Sequence, residues 1–399
     1  METVSEGEPS EEFDSRRWWT LAVFAFVALE GATLQMHGAI IPVLRDSFGT
    51  PQWQLGLVAP AGTLGFLFFV AAAGAVAGRF DTRKLLLVGI FGTGIGVALL
   101  GSVPSFGVFL AALVFRGAFA GIARGNDRPL LSHLYPSRRG RLFGYYDMMW
   151  AVGATLGPLV VTAALWLDEW RLAYYALAVS FIPVVALIWY LPAPDVDGGD
   201  DPLTLDGVRR IVRSPAVLVM ATGIFCATAV EGGLFTWLTT FAEGRLPESF
   251  VTVSLSVLLV AYIPGRFAAG SLSERLGYVR LAFALGLLCT LSAVYTFVLA
   301  SGLSILVGVF GIGLGLSGLY PTLLAYATES TPEHSAPVNA LALVVSSCGI
   351  AGAPAVMGFV IDGVGVLAAM RLLFAPLVGL LVVVAVAWLR IGTAARPGS

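Results

Sequence analysis

The sequence predicts an all-α integral membrane protein of twelve transmembrane helices, arranged as two pseudo-symmetric six-helix bundles. Three observations carry that prediction. The 399 residues are 57% hydrophobic and only 12% charged, with a mean hydropathy of +0.87, against ~25% charged residues in soluble domains. Apolar runs long enough to cross a hydrocarbon core, which takes ~20 helical residues, fall six on each side of a polar break at 192–214. A short charged loop after the second run, Gly74 to Lys84 (GAVAGRFDTRK), is echoed 196 residues later at Gly270 to Arg280 (GSLSERLGYVR).

The runs lie near 18–43, 54–78, 85–103, 106–128, 142–167 and 172–191, then 215–242, 250–273, 281–300, 303–327, 338–361 and 366–389. Residues 1–17 are acidic where a secretory leader would be cationic, so they read as a disordered cytosolic tail. Arg16, Arg17, Trp18 and Trp19 then anchor the first helix at the interface. A first bundle spans 18–191 and a second spans 215–391, with a cytosolic tail at 392–399. Between them, the loop 192–214 opens on Pro192, Pro194 and an Asp/Gly cluster that cannot hold a helix. Its second part, LTLDGVRRIVR, fits either a short amphipathic helix on the membrane surface or a plain polar linker.

With the N-terminus inside, fifteen of the 23 Lys and Arg residues fall in inner segments, four in outer loops and four within helices. This bias predicts a multi-pass cell-membrane protein with both termini cytoplasmic. Further landmarks repeat at nearly constant offset: Gly121 with Gly313, Pro129 with Pro321, Pro158 with Pro354, and Glu30-Gly31 with Glu231-Gly232. Two six-helix repeats around a site at the membrane midplane are an arrangement suited to alternating access.

These residues resemble the major facilitator superfamily over about 18–389. Its loop signature between second and third helices runs approximately G-x-x-x-D-R-x-G-R-[RK]. Gly270, Glu274, Arg275, Gly277 and Arg280 fit it well. In the first copy Gly74 and Arg79 match, but Gly78 takes the acidic place and Asp81 the place of the glycine. The resemblance implies gating loops that latch onto neighbouring helix ends and stabilise the outward-facing state, through Gly270, Glu274 and Arg275 in the second copy and Gly74, Arg79 and Asp81 in the degenerate first copy. Arg116 with Gly121 is similar to the family's fourth-helix arginine motif. Gly153-x-x-x-Gly157-Pro158 resembles the fifth-helix motif of drug/proton antiporters, whereas GLFTWLTTFA (233–242) and GLSGLYPTLLA (315–325) resemble fucose-type sugar symporters.

A charge at the bilayer centre costs ~3 kcal/mol on insertion scales, so charges at depth point to function. Glu30 lies ~18 Å along its helix at ~1.5 Å per residue. With Thr33 and His37 it forms one polar stripe, expected to face a central cavity. Arg116, ~15 Å deep on the same rise, is expected to pair with Glu30, because first and fourth helices adjoin in the family. A substrate or conformational change that removes Arg116 would let Glu30 take a proton, which links protons to transport. Glu231 is expected to lack a basic partner, with His37 meeting it as an outer gate. Tyr146, Asp147 and Trp150 suit stacking and hydrogen bonding to an organic substrate, and Gln35 and Trp237 complete the cavity set. Arg124, Asn126, Asp127 and Arg128 read as an inner gate.

No phosphate-binding loop, metal-ligand cluster or nucleophile motif is present, so neither a cofactor nor an enzymatic activity is expected. Cys226, Cys289 and Cys348 have no paired spacing and read as buried free thiols. Nothing in the charge pattern suggests nucleic acid. The expected function is secondary active transport of a small organic solute by alternating access, coupled to protons or else sodium, with the chain acting as a monomer. Drug or metabolite efflux by antiport is the alternative, and a channel or a membrane sensor is the remoter one.

Overall fold

The computed structural model describes residues 9–75, 80–136, 138–194, 214–331 and 335–394. Among the described residues twelve helices are long and apolar enough to span a membrane. We number them α1 (Ser15–Phe48), α2 (Gln52–Ala73), α3 (Thr82–Ser102), α4 (Phe106–Leu134), α5 (Arg141–Leu165), α6 (Arg171–Tyr190), α7 (Pro215–Ala242), α8 (Glu248–Leu276), α9 (Tyr278–Leu299), α10 (Ser304–Ser330), α11 (Pro337–Val364) and α12 (Val366–Arg390).

The ends follow local chemistry. Asp81 caps α3 by accepting from the Arg83 backbone N–H at 2.8 Å. Pro215 opens α7, where its missing N–H costs nothing. Gly277 takes a positive φ of 75° between α8 and α9, a turn that side chains with a Cβ resist. Helical structure begins at Pro9, ahead of Ser15, so residues 9–17 are not a disordered tail. Arg79 and residues 195–213 of the central loop lie outside the described residues. Cys226 and Cys289 are buried, but Cys348 is exposed, which corrects that expectation for one thiol of three.

The packing of the first six helices recurs in the last six. In the first half α1 lies along α5, α2 along α4, and α3 against α4 and α6. In the second α7 lies along α11, α8 along α10, and α9 against α10 and α12. Small residues set the crossings. A methyl at Gly153 would collide with the Ala28 backbone, and one at Gly349 would meet Thr228 and the Phe225 carbonyl. Gly121 against α2 and Gly313 against α8 repeat the relation. Where lipid tails are as apolar as leucine, such close backbone approach drives helix association. Outward positions such as Phe68, Val179, Phe267 and Leu389 are 62–80% exposed, as lipid-facing apolar side chains are.

The halves meet through α1 with α7, α2 with α11, and α5 with α8. They are bonded together toward the end opposite the termini. Arg45 grips Glu243 with two bonds, at 2.9 and 3.2 Å. Asp362 accepts the free N–H groups of Gln52 and Trp53 that open α2, at 3.1 and 2.9 Å. Thr162 shares a hydrogen with Thr252 at 2.6 Å, Ser256 donates to the Thr155 carbonyl at 2.9 Å, and Thr239 donates to the Gly38 carbonyl at 2.6 Å. This end of the molecule is closed.

Candidate functional site between the two halves

Glu30 and Arg116 form a direct ion pair between α1 and α4, with side chains 3% and 2% exposed. The expected pairing is therefore present, but inside the first bundle rather than facing a space between bundles. Thr33 turns back to the Leu29 carbonyl at 2.8 Å. His37 lies among Phe109 and Tyr174, with ring centroids 6.5 and 6.1 Å away. It is thus enclosed by aromatic rings of its own half and makes no gate with Glu231. The polar stripe on α1 is a buried internal feature, because helix rotation points it at α4 and α6. Gln35 is buried too, at 3% exposure. Trp237 is fully buried, and its indole N–H donates to the Pro354 carbonyl at 3.0 Å, pinning α7 to α11.

A second polar group joins the halves at the midplane. Tyr262 on α8 donates to Glu231 on α7 at 2.7 Å. One turn further, Arg266 donates to the Asp147 backbone carbonyl of the other half at 2.7 Å. Its guanidinium lies 5.6 Å from the ring centroids of both Trp150 and Tyr262. The Asp147 carboxylate takes Arg128 at 2.8 Å. Tyr320 on α10 lies close to Ser346 on α11, within electrostatic range of Arg128, Asp147 and Glu231. Glu231, Arg266, Asp147, Trp150 and Tyr320 all keep partial exposure, whereas Tyr262 is buried.

Three of these side chains, Tyr262, Arg266 and Tyr320, lie outside the sequence expectation. Arg266 sits ten residues from the end of α8 at Leu276, ~15 Å at the helical rise, deep enough to reach the vicinity of Glu231. As expected, Glu231 has no ion-pair partner among the described residues, and a phenol holds it instead. The i, i+4 spacing of Tyr262 and Arg266, which places both on one helix face, was the legible signal.

The inner gate residues of α4 fold into a tight cluster. Tyr146, fully buried, donates to Asp127, also fully buried, while Arg124 donates to the Tyr146 hydroxyl. Arg128 caps the same ring at 4.8 Å. Tyr146 is therefore locked to α4, leaving Asp147 and Trp150 as the members of its trio with partial exposure.

The gating loops reverse the expectation. Gly74 falls in the last turn of its helix and Asp81 serves as a cap. It is Arg83, in the first copy, that grips a neighbouring helix end, bonding the Ile188 and Trp189 carbonyls that close α6. Gly270, Glu274 and Arg275 are exposed, and neither charged residue has an ion-pair partner within 4.0 Å among the described residues. The opposite end is shut in this structure, and the latch that resembles the outward-facing family motif is disengaged.

Residues 23–337 match the family model described as Major Facilitator Superfamily. The chain belongs to the major facilitator superfamily. It is a multi-pass membrane protein and a secondary transporter. A bacterial homologue of the human lysosomal transporter Spinster, solved inward-facing and unoccupied, has the same fold. It aligns with a TM-score of 0.78 at 16% identity, over 95% of this chain and 96% of its own. The gallate transporter of Pseudomonas putida is 25% identical over 361 residues, 79% of either chain. The puromycin resistance protein pur8 of Streptomyces alboniger is 30% identical over 168 residues, 41% of this chain and 33% of the relative. The match thus spans a third of that relative's length.

Proposed function

We propose that the chain carries a small organic solute across the cell membrane by alternating access, coupled to protons through Glu231. The observation that carries this reading is the pairing of Glu231 with a neutral phenol at the junction of the halves. Among the described residues no cation lies within ion-pair distance of Glu231. It can gain or lose a proton without stranding a partner cation, and it keeps partial exposure. Glu30, in contrast, is shut in against Arg116, and losing its charge would strand a buried guanidinium.

The solute contacts Asp147, Trp150, Glu231, Arg266 and Tyr320 in this reading. The excess of Lys and Arg in segments on the terminal side supports cytoplasmic termini, so the shut end is the outer one. The chain works as a monomer, since each half supplies part of the junction. Export by antiport is the second reading, favoured by Gly153 and Gly157, which seat α5 on α1 in the manner of the antiporter motif.

Purified protein in liposomes holding a pH-sensitive dye tests this. Addition of gallate or puromycin, the solutes named for two relatives, is expected to move protons in the wild type. Glu231→Gln should abolish that movement while retaining solute counterflow. Proton movement unchanged in Glu231→Gln removes the coupling assignment.

A further inference from the structure

Among the described residues Arg266, like Glu231, has no ion-pair partner at the junction. Glu30 has Arg116, and Asp147 has Arg128. Among the described residues no carboxylate lies within 4.0 Å of Arg266. Its one hydrogen bond goes to a backbone carbonyl, that of Asp147. The neighbouring acid, Glu231, is occupied by the Tyr262 hydroxyl. A guanidinium presents five donors in a flat fork suited to a carboxylate, so most of its capacity is unspent. Its setting adds a second feature, since Trp150 from one half and Tyr262 from the other each put a ring centroid 5.6 Å from the guanidinium carbon. Phe267, the next residue, is 80% exposed toward lipid, whereas Arg266 turns inward to the junction.

From this geometry we infer that Arg266 binds the carboxylate of an organic anion whose flat ring packs against Trp150, the half-buried one of the two rings beside it. The inference rests on the transporter reading and names the substrate class of that site. The carboxylate takes the free edge of the guanidinium, and the Trp150 face takes the ring. Because Arg266 is also bonded to Asp147 across the junction, an arriving anion competes for the donors that tie α8 to α5. Occupancy is thereby coupled to the contact between halves. Glu231 and Asp147 are the acidic groups facing the site, and Arg128 offsets the second. An anion therefore enters beside one acid, Glu231, whose protonation would ease its entry.

Three probes of one ring and different charge test the assignment: benzoate, benzamide and benzyltrimethylammonium. Binding to the full chain in detergent is read from the shift of its thermal unfolding midpoint with probe concentration. Benzoate is expected to bind at least tenfold more tightly than benzamide, and benzyltrimethylammonium not at all. Arg266→Gln should lose at least tenfold of the benzoate affinity, and Arg266→Lys, which keeps the charge without the fork, should fall between. Cyclohexanecarboxylate, with the charge but no aromatic face, should bind severalfold more weakly than benzoate. The unliganded midpoint of both variants serves as the folding control, and Arg266→Lys keeps the test decisive if the glutamine variant does not fold. Equal binding of benzoate and benzamide, unaltered benzoate affinity in the variants, or no binding of benzoate by wild type overturns the inference. Puromycin-driven proton movement in a protein indifferent to benzoate would overturn the anion site alone and leave the transporter reading standing.

Discussion

The two halves share one packing plan and use their central acid differently. Gly31 packs against the Trp150 carbonyl on α5, and Gly232 packs against the Ile350 carbonyl on α11, so the preceding residues, Glu30 and Glu231, occupy corresponding places. Glu30 is sealed to a guanidinium within its own bundle. Glu231 holds only a phenol, and the guanidinium one turn beyond reaches across to the other bundle. A duplicated scaffold thus buries one acid against a cation and leaves the other beside a neutral phenol. The lesson is that internal symmetry fixes where polar residues sit along the helices, and their partners decide what each one does.

The sharpest way to break the comparison is to remove each acid. Glu30→Ala strands a buried Arg116 and is expected to cost ~3–5 kcal/mol, as breaking buried pairs does. Replacing both partners with apolar residues of similar volume, Glu30→Leu with Arg116→Met, should recover most of the loss. Glu231→Gln keeps an acceptor for Tyr262 and should cost no more than ~1 kcal/mol, the size of one hydrogen bond. Unfolding midpoints followed by tryptophan fluorescence distinguish the two. A stability loss larger at Glu231 than at Glu30 would exchange their assignments.

The crossings come next. Gly153→Ala forces a methyl into the Ala28 backbone, and Gly349→Ala meets first a movable Thr228 side chain. Overpacking of this kind costs ~1–3 kcal/mol, and the Gly153 variant should lie at the upper end of that range. The same fluorescence melts check the order. Equal losses would mean that the two crossings relax alike.

The charged loops offer a smaller contrast. Gly277→Ala should cost ~1 kcal/mol through its positive φ, and Asp81→Ala a similar ~1 kcal/mol through loss of the α3 cap. The two losses share a size and differ in cause, so Asp81→Asn should rescue the cap whereas no side chain rescues Gly277. The smallest effect belongs to Arg45 and Glu243, about one-third exposed. Their pair is worth ~0.2–1 kcal/mol, so Arg45→Ala should shift the balance between open and closed forms of the end opposite the termini by no more than about fivefold. Spin-label distances across that end measure it, and high salt should mimic the substitution.

Much of this was legible in the chain. Twelve apolar runs and the repeated Gly and Pro landmarks emerge from spacing, because insertion energy acts on each helix separately, and the Glu30–Arg116 pairing follows from depth only together with the family resemblance that sets first and fourth helices side by side. The direction in which the α1 stripe points was not legible. A helix with Glu30, Thr33 and His37 on one face presents that face to whatever lies beside it, and only the neighbours Phe109, Tyr174 and Arg116 reveal an interior. The exposed Cys348 and the helical residues 9–17 escaped for the same kind of reason, since composition reports neither facing nor local order.

The amino-acid sequence by itself determined that the chain enters the membrane, how often it crosses, and that its halves repeat, since these depend on hydrophobicity and periodicity summed along one strand of chain. Tertiary structure decided that Tyr262 holds Glu231, that Arg266 meets Asp147 and Trp150, and that Arg83 rather than Glu274 or Arg275 grips a helix end. Those contacts join residues up to 119 positions apart. Hydrogen bonds and ion pairs act over a few ångströms, so which groups meet is set by how helices rotate and dock against one another.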